Sequence, residues 1–177
     1  MVEQAVRITN IVATASLGCD LDLKHLEQQI PLTQYLPHRF SGLLIRILQP
    51  YKAHCQVYRN GEITINGARS VRAARALSQR FCEMVENAGY STELSAFKIV
   101  NVVACCKLNF GIAIEQVYRR LIHDFPHTIF NPELFPGMSV KISSCTAVLF
   151  RSVTINFVGC SSLLDAKAAM IDLSLYL

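Results

Sequence analysis

The chain has 177 residues, 51% apolar and 17% charged, with 17 Lys and Arg against 13 Asp and Glu for a formal charge of +4. That is long and apolar enough to bury a sizeable core, and it excludes a disordered chain. No apolar run reaches the roughly 18 residues of a membrane-crossing helix, and the N-terminus lacks the basic-then-apolar pattern of a secretory signal, so an intracellular domain is expected.

The first predicted element is a β-rich run over Val6–Leu17, dense in Ile, Val, Thr and Ala. A short helix follows, with Leu21, Leu23, Leu26 and Ile30 apolar and Asp20 or Asp22 as its cap. Pro31 and Pro37 mark a loop. Strands are predicted over Ser41–Leu48, Ala53–Tyr58 and Glu62–Asn66, with Arg59-Asn60-Gly61 as a hairpin turn. A longer helix starts after Ser70, steps along Val71, Ala74, Leu77, Phe81 and Val85, and stops at Gly89. The pattern then begins again, with a β-rich run over Lys98–Leu108. It closes on a helix after Ser161-Ser162 that places Leu164, Ala168 and Ile171 on one face and is expected to be short.

The recurrence is literal. Ile8-Thr9-Asn10-Ile11-Val12-Ala13 returns 91 residues later as Ile99-Val100-Asn101-Val102-Val103-Ala104. Pro37-His38-Arg39-Phe40-Ser41-Gly42 returns as Pro132-Glu133-Leu134-Phe135-Pro136-Gly137, and Ile63-Thr64-Ile65-Asn66-Gly67 as Ile155-Asn156-Phe157-Val158-Gly159. Three blocks in the same order imply two copies of one unit, 4–96 and 97–177, too few and too long for a solenoid. Strand, helix, antiparallel strands and helix, taken twice, predict an α+β fold: two pseudo-symmetric repeats forming one curved antiparallel sheet of about ten strands, with four helices on one face. The other face reads as apolar too, since Ile8, Ile11, Val12, Ala13, Ile63 and Ile65 occupy strands. An open apolar face implies a partner, and a pseudo-two-fold pair suits a target with its own two-fold, such as duplex DNA.

Other chemistries lack support. The seven cysteines (Cys19, Cys55, Cys82, Cys105, Cys106, Cys145 and Cys160) form no CxxC pair and mostly have apolar neighbours, as expected of reduced thiols packed as small hydrophobes. Pro126 between His123 and His127 spoils a helical metal pair, and Asp20 and Asp22 read as caps. No phosphate loop, nucleophile elbow or metal motif is present, so neither an enzyme nor a cofactor is expected. Residues 1–90 carry ten basic and seven acidic groups and 91–177 seven and six, which permits an anionic partner without demanding one. Phe40 alone would read as core, and a lone Asn in an apolar strand as a satisfied structural group. Their return as Phe135 and Asn101 favours a surface role.

Asn10-Ile11-Val12-Ala13-Thr14 with Leu17-Gly18-Cys19, Arg39-Phe40, Arg46-Ile47, Asn66-Gly67-Ala68-Arg69-Ser70, Phe97-Lys98-Ile99 and Pro132-Glu133-Leu134-Phe135-Pro136-Gly137 together resemble the core domain of the TATA-box-binding protein (TBP) family, over nearly the whole chain. The resemblance implies a saddle with helices on its convex face and the concave sheet on the DNA minor groove. It implies that Phe40 with Tyr58, and Phe135 with Phe150, are aromatic wedges between base steps. Asn10 and Asn101 would donate to minor-groove acceptors, flanked by Val12 and Val103, with Ile65 also facing the groove. Arg39, Arg46, Arg69 and Lys141 would face phosphates. The expected partners are double-stranded promoter DNA, transcription factor IIB through Glu133 and Leu134, transcription factor IIA, TBP-associated factors, and a second copy of the chain when DNA is absent. The expected compartment is the nucleus and the expected function transcription initiation. The sequence departs from the family at Gln56, Asn66 and Val158 on the expected groove face, and at Ser143-Ser144-Cys145 in a turn that the family makes basic. These departures favour a divergent member, the alternative being a protein-interaction scaffold with weak or lost TATA binding.

Overall fold

A computed structural model describes residues 5–177. Among them, nine strands and four helices follow in the order β1 (Arg7–Ser16), α1 (Leu23–Gln29), β2 (Thr33–Tyr35), β3 (Leu43–Ile47), β4 (Ala53–Val57), β5 (Glu62–Ala68), α2 (Val71–Asn87), β6 (Ser95–Lys107), α3 (Ile114–Asp124), β7 (Met138–Ile142), β8 (Cys145–Leu149), β9 (Thr154–Cys160) and α4 (Leu163–Ser174). They form two compact units, one of Asn10–Val100, the other of Asn101–Leu177 with residues 5–9. The first unit's strands lie in the order β2-β3-β4-β5-β1 and the second's in the order β6-β9-β8-β7, with antiparallel pairings inside each unit.

Alternation explains each sheet. In β1, Ile11, Ala13 and Ala15 are buried while Asn10, Val12, Thr14 and Ser16 are half-buried on the opposite side. In β5, Ile63 and Ile65 are buried and Thr64 and Asn66 stay half-open. The expectation of apolar residues on both faces holds in β1, where Val12 stands opposite Ile11 and Ala13, and is corrected for β5, where Ile63 and Ile65 are two residues apart and share the buried side.

The helices begin where their caps stand. Asp22 accepts from the backbone N–H groups of Lys24 (3.0 Å) and His25 (3.2 Å) at the start of α1, so Asp22 and not Asp20 is the cap. Ser70 accepts from Ala73 N–H at 3.1 Å at the start of α2. Ala74, Leu77, Phe81 and Val85 of that helix are buried, and it packs on β5, whereas Val71, expected on the same face, is 46% exposed in the first turn.

Two further expectations are corrected. The last helix, 12 residues against 17 in α2, is short as expected, and a capping box in which Ser162 and Asp165 satisfy each other's backbone N–H starts it, but its face is not the expected one. Its buried side is Ala166, Ala169, Met170 and Leu173, which leaves Leu164 at 74% and Ile171 at 67% exposure, with Ala168 exposed as well. Apolar residues lie on every side of the helix, among Asp165, Lys167 and Asp172, so spacing alone does not choose a face. The small Ala166 and Ala169 permit close approach to β8 and β9, and packing selects that side. The tenth strand is also missing among the described residues. The counterpart of β2 is a single bridge, Ile129 to Ser139. Just before it, Thr128 folds back, its N–H and Oγ1–H both donating to Phe125 C=O at 3.0 and 2.7 Å, and holds the chain in a turn.

Among the described residues all seven cysteines are thiols, no three His, Cys, Asp or Glu side chains converge into a metal-binding cluster, and no helix is long and apolar enough to cross a membrane.

Candidate nucleic-acid interface

The half-open side of the first unit's sheet is a lattice of cross-strand neighbours. One row runs Gln34, Leu44, Gln56, Thr64 and Thr14; the next runs Arg46, His54, Asn66 and Val12. Asn10 stands two residues from Val12 on the same side. Its Oδ1 accepts the Gly67 N–H at 2.9 Å. That bond fixes the amide's orientation, because only the oxygen can accept, and it leaves both amide N–H groups as donors. Gly67 is required there. Its φ is +107°, and a Cβ would meet Lys52 C=O at 2.7 Å.

The second unit repeats the lattice with different chemistry. Ile129, Ser139, Val148, Asn156 and Cys105 form one row, and Lys141, Thr146 and Val158 the other, with the register shifted at Val103. The step from His54 and Asn66 to Thr146 and Val158 makes this half less polar. Asn101 occupies the position of Asn10, but its Oδ1 is buried without a hydrogen-bond partner. Such an atom carries a desolvation cost that a bound donor would relieve.

At the edge of each face stands an aromatic pair. Phe40 and Tyr58 are edge-on with ring centroids 5.8 Å apart; Phe135 and Phe150 repeat this at 5.8 Å. Phe40 is 38% and Phe135 47% exposed, high for phenylalanine. The same local turn presents both: Phe40 N–H donates to Leu36 C=O, and Phe135 N–H to Asn131 C=O, each at 3.0 Å. The same glycine clears space for both pairs, since a Cβ on Gly42 would come within 2.7 Å of Phe40 and one on Gly137 within 2.6 Å of Phe135.

The remaining expected residues divide. Arg39, Arg46, Arg69 and Lys141 are exposed, and Arg46 donates to Gln34 Oε1 at 2.8 Å. Val12 and Val103 lie on the half-open side. Glu133 and Leu134 are exposed in the turn before Phe135, Leu134 at 84%. Arg75 lies 4.4 Å over the Phe97 ring, a cation–π contact that engages it away from the lattice. Ile65 is a correction: fully buried on the opposite side of its strand, it cannot touch a ligand on the open face. His54, Thr14, Thr64, Leu44, Asn156 and Val148 do stand on that face. Strict alternation from Asn10 and Asn66 across the strands would have found them.

The geometry provides donors on half-open sheet surfaces, flanking methyl groups, aromatic pairs each with an exposed phenylalanine, and peripheral cations. A sequence profile of the family described as transcription factor TFIID, or TATA-binding protein (TBP), matches residues 5–88 and 96–174. The chain is 34% identical over 155 residues to the TATA-box-binding protein-like 1 of Entamoeba histolytica, covering 86% of this chain and 69% of that protein. It is 32% identical over 150 residues to the TATA-box-binding protein of Saccharomyces cerevisiae, covering 83% of this chain but only 60% of that one. In three dimensions it superposes on Methanococcus jannaschii TBP with a TM-score of 0.84, at 24% identity over 97% of each chain, so the two share a fold. The chain belongs to the TATA-binding protein family.

Proposed function

We propose that the chain is a transcription initiation factor that binds A·T-rich, TATA-type promoter DNA through the minor groove and bends it. The observation that carries this reading is the twice-built aromatic pair, Phe40 with Tyr58 and Phe135 with Phe150, each over a glycine that clears its space. An exposed ring pair is suited to unstack a base step and to replace the lost stacking with its own face. Family membership supports the same reading, since the relatives it matches are TATA-box-binding proteins and not enzymes.

In this reading the Asn10 amide, turned by Gly67, donates to acceptors on the groove floor, and the amide N–H groups of Asn101 do the same from the matching position. Val12 and Val103 leave no partner for a guanine amino group, which favours A·T pairs. Arg39, Arg46, Arg69 and Lys141 hold phosphates. His54 joins the first unit's set, between Arg46 and Asn66. The two repeats, 4–96 and 97–177, serve as one nuclear domain. Transcription factor IIB docks at Glu133 and Leu134, with transcription factor IIA and TBP-associated factors on other surfaces. A second copy of the chain covers the groove face when DNA is absent.

A salt-titrated binding and bending assay on a TATA duplex tests the reading, with Phe40→Ala plus Phe135→Ala as control. Tight binding with a bend that the double variant abolishes is expected. A second reading, a protein-docking saddle without DNA affinity, is favoured by Gln56 and Val158 on the groove face. Absence of binding even at low salt would select it.

A further inference from the structure

Two buried thiols in the second unit lie within bonding reach of each other. The Sγ atoms of Cys145, 1% exposed, and Cys160, fully buried, are 2.6 Å apart. The backbone brings them together. Thr146 pairs with Val158 across β8 and β9; one residue beyond that pair stand Cys145 and Gly159, and Cys160 follows. Gly159 has a φ of +75°, and both thiols fall on the buried side, which α4 covers.

The internal repeat supplies the comparison. In the first unit the matching pair is His54 with Asn66. The residues beyond it are Ala53 and Gly67, followed by Ala68, with Ala53 and Ala68 both buried. Small apolar residues therefore suit these two positions, and the second unit has cysteine at both. Two other buried thiols differ: Cys82 contacts Thr92 Oγ1 at 2.9 Å and Cys55 the backbone of Gln56.

We propose that Cys145 and Cys160 are a redox modification site that closes to an intrachain disulfide on reaction with a peroxide. One thiol, as thiolate, attacks a peroxide oxygen and becomes a sulfenic acid, expelling hydroxide. The second thiol loses its proton and attacks that sulfenic sulfur, forming the S–S bond and expelling a second hydroxide. The two protons released convert both hydroxides to water, so two thiols and one peroxide give one disulfide and two waters. Burial and the neighbouring Cys145 push the Cys160 thiol up to about 12, so the reaction is slow. The pair is distinguished by its product and not its rate. A sulfenic acid formed at either position has a thiol beside it, and the disulfide closes β8 and β9 into a ring that the first unit, with Ala53 and Ala68, cannot form.

The test treats the reduced, folded protein with hydrogen peroxide in a Cys19→Ser, Cys105→Ser background, which removes the two half-exposed thiols. Alkylation and peptide mapping follow. The expected result is a single cross-linked peptide joining Cys145 to Cys160, reversed by dithiothreitol. An unchanged circular dichroism spectrum and an unfolding midpoint raised by several degrees accompany it. Cys145→Ala plus Cys160→Ala, which copies the first unit's pair, shows no cross-link and no peroxide-dependent shift. If both cysteines stay alkylatable, or the link appears only in urea, or other pairings dominate, the proposal is overturned.

Discussion

At the scale of single residues, Asn10 separates two jobs that one side chain performs. Its oxygen holds the Gly67 N–H and its nitrogen is left to donate outward. Asn10→Asp keeps the acceptor and removes the donors. Stability by urea denaturation is expected to stay within about 0.5 kcal/mol, while affinity for an A·T-rich duplex falls roughly tenfold or more. Equal losses in both would mean that the amide is only structural. The glycines under the ring pairs make a second case. A Cβ on Gly137 would meet Phe135 at 2.6 Å and Phe150 at 2.9 Å, whereas one on Gly111 meets nothing within 4 Å. Gly137→Ala is expected to cost about 1–3 kcal/mol through displaced rings and to reduce DNA bending, with Gly111→Ala as the neutral control. The buried thiols set a pH limit. Burial pushes Cys55 and Cys160 up from 9.0, Cys160 to about 12. Above pH 9 the unfolded chain therefore sheds these protons while the folded chain keeps them. Their contribution is complete below pH 9 and falls away as pH rises toward 12, so the thermal midpoint is expected to drop over that window. The drop should be smaller in the Cys145→Ala, Cys160→Ala variant.

Among the elements, α4 shows what sequence pattern can and cannot decide. Leu164, Ala168 and Ile171 fit helical spacing as well as Ala166, Ala169, Met170 and Leu173 do, and only the second set is buried. In α2, by contrast, charged residues occupy the far side, and Ala74, Leu77, Phe81 and Val85 could be read as the buried face in advance. Polar contrast, and not apolar content, carries that information. The same distinction separates Asn10 from Ile65. Asn10 stood out because a polar residue recurred inside two apolar strands, whereas Ile65 is one apolar residue among several, and only alternation from its neighbour Asn66 places it on the opposite side. The Cys145–Cys160 pair was out of reach, since 15 residues of sequence separation say nothing of proximity until β8 and β9 pair. For α4 the expectation is sharp. Ile171→Lys should change stability by no more than about 0.5 kcal/mol. Ala169→Lys places an unpaired charge at a position 3% exposed and should cost several kcal/mol by urea denaturation.

For the whole molecule, the charge distribution decides how DNA would be held. A net charge of +4 is modest, and the cations beside the open faces are unequal: Arg39, Arg46 and Arg69 in the first unit, Lys141 in the second. Each phosphate neutralised by a cation releases counterions and contributes about −0.9 to the slope of log affinity against log salt. If these four residues carry the phosphate contacts, the slope is about −3.6 by that rule. Removing Arg46 should make it shallower by about 1, with little change in sequence preference, because a phosphate contact positions without reading bases. Removing Asn10's donors should do the reverse, leaving the slope and weakening the preference for A·T pairs. Filter binding of Arg46→Gln and Asn10→Asp over a salt series, on A·T-rich and G·C-rich duplexes, measures both quantities together. Two variants that moved slope and preference in parallel would show that backbone and groove contacts are not separable on this surface. Independent movement would locate the electrostatic grip on the arginines and the reading of bases on the asparagine.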